Sequence, residues 1–143
     1  MSAYITGLTA LCIPHSGRFK AFWHGIGSPD NWTVAGQNYP DTSHLFGDRE
    51  IVDVSAYLAL AGVQASLSRC ASYERAVFDL LYRNIEQNSR PVPNVQPSDL
   101  DDVVDFKRII AWIWEWERSG QLKQGKSMRS WLNIEDPWVE IQR

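Results

Sequence analysis

The chain has three histidines and two cysteines, and the question is whether their spacing supports chemistry. Two residues separate Cys12 from His15, with His24 and His44 further on. A structural zinc site needs two close ligand pairs, and only the first pair here is close. These residues read as ordinary strand and turn positions, and neither a metal nor a cofactor is expected. No Gly-x-Ser-x-Gly elbow is present, and the sequence carries no signature of nucleophilic catalysis. Gly25-x-Gly27 leads into Ser28-Pro29 and not into a helix, so no phosphate-binding glycine loop is formed. The carboxylates Asp99, Asp101, Asp102 and Asp105 crowd the start of one helix, where the helix dipole already accounts for them.

One constellation survives this sorting. His24, Trp32, Tyr39, His44, Phe46 and Arg49 flank polar, glycine-rich segments between Gly25 and Asp48. Aromatic walls with a few polar groups are the usual make-up of a small-molecule pocket. The competing reading is that the same aromatics anchor a long connection to the sheet.

The elements that would position them follow from the pattern. Tyr4 to Ile13 is apolar and β-branched, a Pro14–Gly17 turn follows, and Arg18 to Ile26 alternates, which predicts a β-hairpin. Trp32 to Ala35 and Glu50 to Val54 are short strand candidates. Asp53 or Ser55 caps a small-residue helix from Ala56 to Leu67, with Gly62 as its weak point. Ser72 starts the next helix, whose stripe is Tyr73, Ala76, Val77, Leu80, Leu81 and Ile85. Glu74, Arg75, Asp79, Arg83 and Glu86 form its solvent side. Pro91, Pro93 and Pro97 mark an extended connector.

Ser98 to Gly120 is the clearest helix, capped by Ser98 and closed by Arg118 and Gly120. Val103, Phe106, Ile110, Ile113 and Trp114 form one apolar stripe. Ile109, Trp112 and Trp116 form a second, placed on the opposite side. An uncovered second stripe predicts a partner or two-fold dimer interface through Ile109, Trp112 and Trp116; the alternative is cover by the Ala56 helix. A further short helix is expected from Ser127 to Leu132, and an edge strand or packed tail from Trp138 to Ile141.

The expected architecture is therefore α+β. A small antiparallel N-terminal sheet of three or four strands packs against three main C-terminal helices, in a single domain of 143 residues. The net charge of −3 and the absence of a basic run argue against nucleic acid. No apolar stretch reaches membrane-spanning length, and the first residues lack a basic leader, so a cytoplasmic location is expected. Size and charge favour a protein-binding, inhibitory role of the immunity, antitoxin or phage anti-defence type, acting without catalysis. The alternative is a nucleotide-like small-ligand binder or enzyme that uses the 25–49 loop region.

Overall fold

The computed structural model describes residues 3–15, 20, 25, 27–87, 100 and 103–118. Four short strands form one sheet in the order β2-β1-β4-β3. They are β1 (Tyr4–Ile5), β2 (Val34–Ala35), β3 (Ile51–Asp53) and β4 (Arg69–Ala71). β1 pairs antiparallel with β2 (Tyr4 opposite Ala35) and β3 antiparallel with β4 (Val52 opposite Cys70). β1 runs parallel to β4, with Ile5 opposite Cys70. The α+β class is the one expected, but the sheet is mixed rather than antiparallel throughout. β4 was not expected, because three residues with one charge and no alternation carry little strand signal.

The first run of the expected N-terminal hairpin is not one continuous strand. The strand stops after Ile5, and Gly7–Leu11 is a short helix, α1. Gly7 is the reason: its φ of +60° lies in the left-handed region that glycine enters without penalty, and it turns the chain off the sheet. A Cβ at Gly7 would also come within 2.8 Å of the Tyr39 ring. The partner run from Arg18 to Ile26 falls almost wholly outside the described residues.

The Ala-rich helix is shorter than its composition predicts. α3 covers Ser55–Leu60, started by the Asp53 carboxylate accepting from the Ser55 amide at 2.8 Å. It ends at a Schellman turn: the Gly62 amide donates to Ala59 O, and the Val63 amide donates to Leu58 O at 2.8 Å. Gly62, at φ +73°, holds the left-handed position that this stop requires.

Between β2 and β3 lies α2 (Ser43–Phe46), a single turn inside the segment expected to be loop. α4 (Tyr73–Leu81) begins where expected, with Ser72 Oγ accepting from the Arg75 amide at 3.1 Å. It continues into a wider π-helical turn, Tyr82–Gln87. α5 spans Phe106–Arg118, starting later than expected; Ser98, Asp99, Asp101, Asp102 and Gly120 fall outside the described residues. The first turn of α5 is tied down from both sides. Asp105 Oδ1 accepts from the Lys107 amide at 3.1 Å, and Glu74 Oε2 accepts from the Asp105 amide at 2.8 Å. The segments expected at 127–132 and 138–141 also lie outside the described residues.

α4 is the element the fold is built around. All nine of its residues are buried, including Glu74, Arg75 and Asp79, which the stripe pattern placed on a solvent face. α1 lies against one side of it and α5 against another, so it has no side left for water. No helix among the described residues is long and apolar enough to cross a membrane.

Candidate functional site

Burying Arg75 and Asp79 completely requires that each find partners, because an unpaired ion in the interior costs several kcal/mol or more. Asp79 accepts three hydroxyl hydrogen bonds: from Thr6 at 2.6 Å, Thr42 at 2.6 Å and Tyr4 at 2.8 Å. The Arg75 guanidinium comes no closer to Asp79 than 4.0 Å, too far for a direct hydrogen bond. The two hydroxyls bridge the gap instead. Arg75 Nε donates to Thr42 Oγ1 at 3.2 Å and Nη2 donates to Tyr4 Oη at 3.1 Å, and each hydroxyl passes its own proton toward Asp79. The other terminal nitrogen donates to the carbonyls of Gly47 at 3.0 Å and Arg49 at 2.7 Å.

These bonds join β1, the start of α2, the 47–50 turn and α4 at one point. The electrostatics are those of a closed site. Burial raises the Asp79 carboxyl above the ordinary carboxylate range, opposed by the hydroxyl bonds from Thr42 and Thr6, the Arg75 charge and the Tyr4 bond. Burial, together with the negative charge of Asp79, likewise raises the Tyr4 phenol. Nothing in the sequence pattern flagged this cluster. The available signal was two opposite charges four residues apart on a helix, which occurs as often on a solvated face.

A second polar cluster gathers two carboxylates, Glu50 and Glu74, on one arginine, Arg108. Glu50 Oε1 accepts from Ser72 Oγ at 2.7 Å and from Arg108 Nη1 at 2.9 Å, and the same Arg108 nitrogen reaches Glu74 Oε1 at 3.3 Å. Glu50 is in the left-handed region at φ +58°, an uncommon place for a residue with a side chain. Its carbonyl accepts from the Ser72 amide at 2.8 Å, so backbone and side chain together hold it there.

The residues expected to line a loop pocket do not converge. Trp32 is 2% exposed and forms the floor of a surface cleft described below. Tyr39 is buried against Gly7, with the Arg83 guanidinium 4.7 Å from its ring centre, and burial pushes its phenol up to about 12. His44 is exposed, its Nδ1 3.1 Å from Asp41 O and its ring 6.3 Å from that of Tyr82. Phe46 is buried under Arg49, 5.2 Å from guanidinium to ring centre. Arg49 itself points along α5 and makes a two-pronged pair with Glu115, at 2.8 and 3.1 Å. His24 lies outside the described residues. The described members of the group thus pack against separate partners.

The expected interface is corrected more sharply. Ile109, Trp112 and Trp116 are 0%, 5% and 4% exposed within the chain itself. Trp112 packs on Phe46 at 5.0 Å between ring centres, and Trp116 packs on Tyr82 at 5.6 Å and Phe78 at 6.0 Å. The cover comes from α2, α4 and the turn after it, not from the Ala56 helix. Successive helical residues sit about 100° apart, so the two rows of α5 adjoin rather than oppose. They merge into one wide arc, leaving Lys107, Arg108, Ala111 and Arg118 outside.

Cys12 and Cys70 are both buried free thiols, and burial raises both, which suppresses the reactive thiolate. His15 lies against the Tyr73 ring at 4.2 Å between ring centres. Among the described residues no cluster of His, Cys, Asp and Glu has a metal-binding arrangement.

An open cleft of about 320 Å³ lies between the 29–37 segment and the 64–67 loop. Asp30, Gln37, Gln64 and Ser66 line it from two sides, over Trp32 and Val34. No protein-family model, curated protein or solved structure matches the chain.

Proposed function

We propose that this chain acts by binding a protein partner through its surface, without catalysis, in the manner of an immunity, antitoxin or anti-defence protein. The observation that carries this reading is Leu60, 88% exposed at the end of α3. Ala56, Ala59 and Ala61 are exposed beside it, so a large aliphatic side chain stands clear on a floor of small ones. α3 is fixed at both ends, by the Asp53 carboxylate on the Ser55 amide and by the Schellman turn, so little ordering entropy is lost when it docks. Exposed Asp53 at its base and the net charge of −3 favour a partner with an apolar pocket and a basic rim.

The test places a photo-crosslinking amino acid at position 60, and at exposed Lys107 as control, in the producing cell. One discrete adduct from position 60 alone is expected, competed by the wild-type chain and not by Leu60→Asp. An adduct of twice the chain mass would make the partner a second copy. Equal adduct patterns from both positions, or full competition by Leu60→Asp, would overturn the reading.

A second reading, a small-ligand protein using the 25–49 region, is supported by the cleft over Trp32. Its near wall is built from that region, and its volume is at the lower end of ligand pockets.

A further inference from the structure

Both walls of the cleft are held in place by bonds that need no ligand. On one side Asn38 staples its own turn: its carbonyl oxygen accepts from the Val34 amide at 2.7 Å, and its amide donates to Trp32 O at 2.8 Å. On the other, the Schellman turn sets the start of the 63–68 loop, and the Val54 amide donates to Ser68 O at 2.9 Å to set its end. A cleft fixed in this way is preformed, so binding there does not have to order a loop.

The lining divides by chemistry. Pro29, Val34 and Leu67 offer apolar surface beside the buried Trp32. Asp30 is the charged side chain of the lining and is exposed, with its backbone fixed by the Ser28 hydroxyl accepting from its amide. Gln37 and Gln64, also exposed, add amide oxygens that accept without charge. An ammonium or guanidinium head carries only donors, so it can satisfy a carboxylate and several amide oxygens at once. An anion would meet the Asp30 charge, and the described lining residues include no cation to offset it. A neutral alcohol of the same size would leave that charge unused.

We propose that this cleft binds a compact organic cation, a primary ammonium or guanidinium head on a short apolar stem. The proposal rests on the small-ligand reading above and narrows it to one chemical class. The test titrates the isotope-labelled full chain at neutral pH with four probes: n-butylamine, n-butylguanidine, n-butanol and butyrate. They share a stem and differ in the head. Saturable shifts of the Trp32 indole and the Gln37 and Gln64 side-chain amides are expected with the two cations. Asp30→Asn, at an exposed position, should keep the fold and weaken cation binding by about five-fold, the scale of one exposed charge pair. Butanol or butyrate saturating the same signals as tightly, or cation binding unchanged in Asp30→Asn, would overturn the cation class while leaving a ligand site in place. No saturable shift with any of the four would overturn both the class and the small-ligand reading.

Discussion

The molecule holds its acid–base pairs in two settings. Arg75 and Asp79 are 0% exposed and meet through two relaying hydroxyls. Arg49 and Glu115 meet directly in near-ideal bidentate geometry, yet each side chain is more than two-fifths exposed. Direct geometry does not make the second pair the stronger determinant of the fold. Water would solvate Arg49 and Glu115 well if they were parted, whereas Arg75 and Asp79 have no such alternative. A buried pair therefore acts through the penalty for breaking it, more than through the attraction within it.

The largest effect that follows is the loss of one buried partner. Arg75→Met should cost about 3–5 kcal/mol, because it leaves Asp79 without a countercharge and the Gly47 and Arg49 carbonyls without a donor. Urea denaturation measures this, and a loss below about 1 kcal/mol would mean that the three hydroxyls suffice. Trp112→Ala should cost about as much, 3–5 kcal/mol, by emptying the space between Phe46 and Phe78. It should do so without changing the mass in solution, since the ring faces its own chain.

The pH dependence of the two settings has opposite sign. Asp79 titrates above its unfolded value, chiefly through burial, so its contribution is fully present below about pH 4 and is lost as pH rises through the folded pKa. Glu115 is held below its ordinary value by the Arg49 hydrogen bond, so its contribution is present at neutral pH and lost as pH falls through the folded pKa. Urea midpoints from pH 4 to 7 should therefore fall less with rising pH in Asp79→Asn than in the wild type. Glu115→Gln should remove a small rise over the acid end of the range. The smallest effect is that of Arg49→Ala, below about 1 kcal/mol and diminished further by salt. A larger, salt-independent loss there would assign the effect to its packing over Phe46 and Trp112.

What was legible in the sequence is what depends on neighbours along the chain. The α+β class, the Ser72 cap, the strand at 51–53 and the weak point at Gly62 each follow from local propensity, capping or backbone freedom. Tertiary structure decided the rest. Whether Ile109, Trp112 and Trp116 faced a partner depended on Phe46, Phe78 and Tyr82. The polar centre shows the limit most plainly. Arg75 and Asp79 have the spacing of a solvated helix face, and only the arrival of Tyr4, Thr6 and Thr42 from distant segments allows them to be buried. A helical period records which residues share a side, but burial depends on what packs there, and that is set by contacts more than thirty residues apart in sequence.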